Sequence, residues 1–129
     1  MRVLIVDNDI STAETIKAVV ATGPGIQVGM AYSGKEALEK MKTEGKYDLL
    51  LLDIMMPGIS GIDVCRLMTQ DEKLKAIPVL LVSALPIASK AFQDSLGEFG
   101  ELSVVKDVVE KPFEIDELLA KVKAAAGNH

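Results

Sequence analysis

Several short apolar runs in this sequence lead into side chains that can bind a metal ion or a phosphoryl group. The runs are VLIV at 3–6, LLLL at 49–52, VLLV at 79–82 and VV at 108–109. The polar residues that follow them are Asp7, Asn8 and Asp9 after the first, Asp53 after the second, Ser83 after the third and Lys111 after the fourth. Crowded carboxylates repel one another unless a cation lies among them, and oxygen ligands of this kind favour Mg²⁺. A carboxylate can also accept a phosphoryl group, whose oxygens a hydroxyl and an ammonium group can bind.

The acidic cluster after the first run has two interpretations. In the first, Asp7 is the nucleophile of an Asp-x-Asp phosphatase motif, as in haloacid-dehalogenase-like enzymes, with Ser83 as the second motif. In the second, the cluster holds a metal ion for a nucleophile elsewhere in the chain, and Asp53 is the candidate. The residues of the cluster alone do not decide between them.

The spacing of apolar residues predicts which elements carry these side chains. Short, nearly continuous apolar runs are typical of strands that are covered on both faces, as in a parallel sheet. The segment 26–30 alternates instead, with Ile26, Val28 and Met30 on one side, which predicts a half-exposed edge strand. Helical spacing fills the intervals, including a fourth helix suggested by Ala88, Ala91, Phe92, Leu96 and Phe99. The pattern predicts an α/β fold of five βα units, with helices on both faces of a parallel sheet.

Helix starts are indicated by side chains that can cap open backbone N–H groups. Ser11 with Glu14, and Ser33 with Glu36, have the spacing of a capping box, and Ser60 is expected to begin the third helix. In parallel α/β sheets the binding site lies at the carboxyl ends of the strands. The polar residues after the four runs are therefore expected to meet at one edge of the sheet.

Composition limits the remaining function classes. The chain has 129 residues, a size typical of one domain, and its formal net charge of −5 argues against direct binding of nucleic acid. No apolar run is long enough for a membrane span or a secretory signal, so we expect a cytoplasmic protein without membrane contact. The single cysteine, Cys65, is expected to be a packed core thiol, and the single histidine, His129, excludes a histidine-rich metal site.

The sequence resembles response-regulator receiver domains of two-component signalling. Four segments carry the resemblance: LIVDND at 4–9, LLLDIMMPGISGID at 50–63, VLLVSA at 79–84 and EKPF at 110–113. The resemblance covers nearly the whole chain and implies a flavodoxin-like sheet with strand order 2-1-3-4-5. It also implies a receiver domain over residues 1–126, followed by a tail at 127–129.

The resemblance assigns a role to each candidate residue. Asp53 is implied as the acceptor of a phosphoryl group from a phosphohistidine on a histidine kinase or phosphotransfer protein. Mg²⁺ would be held by Asp53, the backbone carbonyl of Met55, and the pair Asp7 and Asn8. The phosphoryl oxygens would be bound by Lys111, the Ser83 hydroxyl and the Ala84 N–H. These reactions modify the protein itself, so the chain is not expected to be an enzyme that turns over a separate substrate.

Two positions depart from the family pattern. The second residue of the acidic pair, usually an acid, is Asn8, and position 108, often aromatic in the family, is Val108. An amide oxygen still coordinates Mg²⁺, but the loss of one negative charge should weaken the site, unless Asp9 turns inward to compensate. These departures support an alternative function, a degenerate receiver that binds partners without phosphorylation.

The resemblance also implies where partners bind. A downstream effector is expected on the face formed by the fourth helix, the fifth strand and the last helix, and a homodimer through the same face is a family expectation.

Overall fold

The computed structural model describes residues 1–54, 56, 58–84, 90 and 104–126, and these ranges contain five strands, four α-helices and a short 3-10 helix. The strands are β1 (Arg2–Val6), β2 (Gln27–Ala31), β3 (Leu49–Asp53), β4 (Val79–Ser83) and β5 (Val105–Glu110). The helices are α1 (Ile10–Val20), α2 (Gly34–Thr43), α3 (Gly61–Thr69), a short 3-10 helix (Leu74–Ala76) and α4 (Ile115–Ala125). The fourth helix predicted from the sequence, around residues 88–99, lies outside the described residues. The helix named α4 here is the last of the five predicted helices.

The strands form one parallel sheet in the order β2-β1-β3-β4-β5. This order is the flavodoxin-like topology, so the predicted fold class is confirmed. The predicted edge strand is confirmed as well, because β2 pairs only with β1 among the described strands. Its exposed Gln27 lies beside half-buried Val28, which packs against the core.

The sheet separates two apolar clusters, which explains why the central strands are almost continuously apolar. One cluster combines alternate residues of β1, β3 and β4, such as Leu4, Leu50 and Leu81, with the inner faces of α2 and α3. The other combines the intervening residues, such as Ile5 and Leu51, with the inner faces of α1 and α4. Because both faces of these strands are buried, the pattern of alternate exposure disappears. The molecule is therefore a sandwich of three layers.

Helix caps agree with the sequence prediction at two helices and differ at one. Ser33 and Ser60 are the N-caps of α2 and α3, as predicted. The prediction that Ser11 caps the first helix is wrong. The cap is Asp9, whose side chain accepts a hydrogen bond from the Thr12 N–H, and Ser11 lies inside the first turn. Asp and Ser are equally good caps, so the spacing of Ser11 and Glu14 did not distinguish them.

Within the described ranges, no helix has the length and apolar character that crossing a membrane requires.

Candidate functional site

Two acidic side chains and one hydroxyl are buried at the carboxyl edge of the sheet. Asp7 follows β1, Asp53 is the last residue of β3 and Ser83 is the last residue of β4. They are the buried polar side chains of the described residues, with 1%, 6% and 0% of their surface exposed. A buried carboxylate loses its hydration, so it requires hydrogen bonds and opposite charge nearby. The local structure supplies both.

Lys111 provides the opposite charge. Its Nζ lies 3.0 Å from Oδ2 of Asp7 and 3.8 Å from Oδ2 of Asp53, so one ammonium group contacts two carboxylates. The residue follows β5, and its backbone N–H donates to the Ser83 carbonyl at 2.6 Å. The peptide bond between Lys111 and Pro112 is cis. Lys111 is thus fixed to the adjacent strand at its backbone and directed to the two acids at its side chain.

The turn after β1 fixes the orientation of Asp7. The Asp9 backbone N–H donates to Oδ1 of Asp7 at 2.9 Å, while Oδ2 of Asp7 accepts from Lys111. The Asp9 side chain points outward as the cap of α1, so it does not replace the missing acid at position 8. Asn8 itself is exposed. Sequence reasoning did not identify the Asp9 N–H as a group that positions Asp7.

The loop after β3 brings the start of α3 against Asp53. A Cβ added at Gly61 would lie 2.8 Å from the backbone oxygen of Asp53 and 3.1 Å from the Cα of Ile54. Only glycine permits this approach, because the opposing atoms belong to the backbone. Gly58 has a positive φ of 73°, which glycine adopts without strain. Met55, whose carbonyl was predicted to bind Mg²⁺, lies outside the described residues.

The start of α3 is fixed by a capping box, of which only the Ser60 cap was predicted from the sequence. The Ser60 side chain accepts from the Asp63 N–H at 3.3 Å, and the Asp63 carboxylate accepts from the Ser60 N–H at 3.4 Å. The available signal was the Ser-x-x-Asp spacing of residues 60–63. This box anchors the helix that packs on the backbone of Asp53.

The remaining predicted positions lie near this edge or further along β5. Ala84 follows Ser83 directly and is exposed. Val108 pairs with Leu81 and is half-buried against the cluster of α2 and α3. Its carbonyl accepts a hydrogen bond of 2.7 Å from Nζ of Lys121, which joins β5 to α4.

The donor set at the carboxyl edge fits Mg²⁺. The described residues contain no group of three or more His, Cys, Asp or Glu side chains that could hold a metal ion. Asp7 and Asp53 supply two carboxylates, and the Asn8 amide oxygen, next to Asp7 in sequence, is a third oxygen donor. Mg²⁺ is commonly bound by one or two carboxylates, with water and phosphate completing the octahedron. Asp7 and Asp53 would therefore be its principal protein ligands.

Comparison with known proteins identifies the family. The family model described as response regulator receiver domain matches residues 3–123. The chain belongs to the response regulator receiver family. Receivers act in two-component signalling rather than as enzymes, and this assignment removes the phosphatase interpretation of Asp7.

Curated relatives include longer regulators. DNA-binding response regulator MtrA from Mycolicibacterium smegmatis is 36% identical over 123 residues, which are 95% of this chain and 49% of that protein. Transcriptional regulatory protein DltR from Streptococcus agalactiae is 37% identical over 123 residues, which are 95% of this chain and 50% of that protein. The chain thus spans about half the length of these relatives.

Solved structures show the same fold. The Francisella response regulator 1452 receiver domain has a TM-score of 0.78 and 32% identity, with 98% of this chain and 96% of that chain covered. Response regulator TrrA from Thermotoga maritima was solved in complex with Mg²⁺ and BeF. It has a TM-score of 0.79 and 32% identity, with 96% of this chain and 97% of that chain covered.

These relatives correct the prediction that the protein does not bind nucleic acid directly. Several are named DNA-binding response regulators or transcriptional regulators. The prediction was based on the net charge of this chain, which describes the electrostatic field of a segment half as long as the relatives. That field has no bearing on DNA contacts made by other parts of a longer protein.

Proposed function

We propose that this receiver is a phosphorylation switch that takes a phosphoryl group on Asp53 from a phosphohistidine of a histidine kinase or phosphotransfer protein. The observation that supports this best is the contact of Lys111 with two buried carboxylates at the strand ends. A carboxylate oxygen of Asp53 forms the new bond to phosphorus, the phosphorus–nitrogen bond of the donor breaks, and the imidazole leaves with that electron pair. The donor histidine belongs to the partner.

The residues of the site position and neutralise the transferred group. Phosphoryl transfer depends mainly on positioning and on electrostatic stabilisation of the equatorial oxygens. Lys111 supplies positive charge, and the Ser83 hydroxyl and Ala84 N–H supply hydrogen-bond donors. Asp7, Asn8, Asp53 and the Met55 carbonyl would hold Mg²⁺, which supplies further neutralisation when bound.

The output of the switch is a change in partner binding. We propose that residues 1–126 form the receiver unit and that residues 127–129 are a tail. By analogy with the relatives named as DNA-binding or transcriptional regulators, a longer protein containing this chain would control transcription. A cytoplasmic location belongs to the same proposal.

Intact mass measurement tests the phosphorylation directly. The protein is incubated with phosphoramidate and Mg²⁺, and we expect the mass to rise by one phosphoryl group. Asp53→Asn is the matched control and should gain no mass, because its amide cannot accept the group. If the wild-type protein gains no mass under conditions that phosphorylate a reference receiver, the proposal is contradicted.

A second candidate function is that of a degenerate receiver whose partner binding is independent of phosphorylation. The exposed, uncharged Asn8 that follows Asp7 favours it, because Mg²⁺ binding then lacks one negative charge. This candidate predicts no added mass with phosphoramidate. It also predicts the same partner affinity for wild type and Asp53→Asn.

A further inference from the structure

A cavity of about 390 Å³ lies at the amino edge of the sheet, opposite Asp53. It is bordered by the last turn of α2, the loop before β3, and the 3-10 helix before β4. Leu49 and Asp53 are the two ends of β3, which places the cavity on the order of 13 Å or more from the phosphoacceptor. Its residues take no part in the proposed phosphorylation.

The floor of the cavity is apolar. Met41, Leu74 and Ile77 line it, and each is almost fully buried, with 5%, 2% and 5% of its surface exposed. Small-molecule sites have volumes of about 300 to 1,000 Å³ and mainly apolar walls with a few polar groups. This cavity falls at the small end of that range. An apolar group of limited length would fit it.

Three lysines from three different segments form the rim. They are Lys42 in α2, Lys46 in the loop before β3, and Lys73 at the start of the 3-10 helix, and all are exposed. None of their ammonium groups has an ion pair or hydrogen bond within the part of the chain that the structure describes. Positive charge is thus concentrated at one opening of a chain whose formal net charge is −5.

Three acidic residues lie beside the rim, and two of them, Glu72 and Glu44, have partners outside it. Glu72 pairs with Lys75 at 2.9 Å, and Glu44 accepts a hydrogen bond from the Tyr47 hydroxyl at 2.7 Å. The pKa of Asp71 is lowered first by the backbone N–H groups of Lys73 and Leu74 that donate to it, and further by the charges of Lys42 and Lys73. Asp71 offsets part of the positive charge, and the rim remains cationic.

Both walls of the cavity are held in place by hydrogen bonds. On one side, Nη1 of Arg2 donates to the carbonyl of Glu44 at 2.7 Å, and its guanidinium lies 4.3 Å from the centre of the Tyr47 ring. On the other side, Oδ1 of Asp71 accepts from the N–H groups of Lys73 at 2.8 Å and Leu74 at 3.2 Å. Preformed walls reduce the ordering that a ligand must impose.

We propose that this cavity binds a small amphiphile with a short apolar body and one anionic head group. The apolar body would lie on the floor formed by Met41, Leu74 and Ile77, and the head group would bind the lysines of the rim. A charge-assisted hydrogen bond favours an anionic head over a neutral one of the same shape. The proposal is independent of phosphorylation at Asp53.

The test is a titration of the ¹⁵N-labelled protein with octanoate, followed by amide NMR signals. We expect saturable shifts for residues 41–46 and 73–77. Acetate carries the head group without the body, and octyltrimethylammonium carries the body with the opposite charge. Each should bind at least about tenfold more weakly than octanoate.

Variants assign the binding to the cavity. Lys46→Glu and Lys73→Glu should each weaken octanoate binding about tenfold or more. Lys35→Glu makes the same change of charge at an exposed position of α2 outside the cavity and should bind octanoate as wild type does. Ala76→Phe should block the cavity, and the two lysine variants keep the test decisive if this variant does not fold.

Four outcomes would overturn the proposal. They are an absence of shifts in the cavity, equal affinity for octanoate and octyltrimethylammonium, equal affinity for octanoate and acetate, or unchanged binding by both lysine variants. Because no phosphoryl donor is present, none of these outcomes depends on whether Asp53 is phosphorylated.

Discussion

Burial at the strand ends disfavours the negative charges of Asp7 and Asp53, and the ammonium group of Lys111 offsets that cost. The two carboxylates are nearly buried, and the ammonium group of Lys111 contacts both. A metal ion bound to the same carboxylates would neutralise the same charge. Either Lys111 or Mg²⁺ can therefore offset the cost of burying these charges, and each should stabilise the protein more when the other is absent.

Replacement of this ammonium group should destabilise the protein chiefly when Mg²⁺ is absent. We expect Lys111→Met to lower the free energy of unfolding by about 2 kcal/mol, less than for a fully buried pair because the lysine side chain is 21% exposed. Saturating Mg²⁺ should restore most of the loss. Urea unfolding with and without Mg²⁺ measures both effects. If Mg²⁺ stabilises wild type and variant equally, the two cations do not share a role.

The amide at position 8 should limit the affinity for Mg²⁺. Asn8→Asp adds a carboxylate next to Asp7, and we expect it to tighten Mg²⁺ binding about tenfold, or on the order of 1.4 kcal/mol. Without Mg²⁺, the same change should destabilise the protein, because it adds a negative charge next to the buried carboxylate of Asp7. Calorimetric titration and urea unfolding measure the two effects, whose signs are opposite.

Asp9 provides the matched control for this change. Its side chain caps α1, so Asp9→Ala should cost about 1 kcal/mol of stability and leave the Mg²⁺ affinity unchanged. Weaker Mg²⁺ binding by Asp9→Ala would show that the outward carboxylate, not position 8, completes the metal site.

At the scale of elements, the contact between α3 and the end of β3 determines where Asp53 lies. Gly61→Ala would place a methyl group against the backbone of Asp53 and Ile54. We expect a net loss of about 1 to 2 kcal/mol, since overpacking outweighs the higher helix propensity of alanine. The amide NMR signals of Asp53 and Ile54 should shift, and phosphorylation should slow.

Gly25→Ala is the control that separates the effect of backbone strain from a displacement of Asp53. Gly25 has a φ of 74° and no atoms near its missing side chain, so alanine there costs strain alone. It should lower stability by a similar amount without shifting the signals of Asp53. If both variants leave those signals unchanged, the position of Asp53 does not depend on α3.

The elements were more predictable from the sequence than the details between them. The apolar runs identified β1, β3 and β4 because burial on both faces removes polar residues, and parallel order placed their polar ends at one edge. The cap of α1 was misassigned because Asp9 and Ser11 both have cap chemistry. The rim lysines 42, 46 and 73 gave no signal, since three separate segments converge only after folding.

At the scale of the whole molecule, the two apolar clusters share one sheet, so we expect the described part of the chain to unfold as one unit. Cys65 in α3 reports on this, because it is fully buried in one cluster and burial raises its thiol pKa to about 12. A thiol reagent at pH 8 needs an exposed thiolate. Labelling should therefore be at least about a thousandfold slower than at an exposed cysteine, given an unfolding free energy of about 5 kcal/mol or more.

The exposed reference for that experiment is Ser11→Cys in a Cys65→Ala background, since Ser11 lies on the outer side of α1. The Cys65 labelling rate should rise with urea along the same slope as global unfolding, because only the unfolded chain exposes both faces of the sheet. Slow labelling that is insensitive to urea would mean that α3 opens alone. In that case Asp53 would lose its support from Gly61 in the open state while the sheet remained intact.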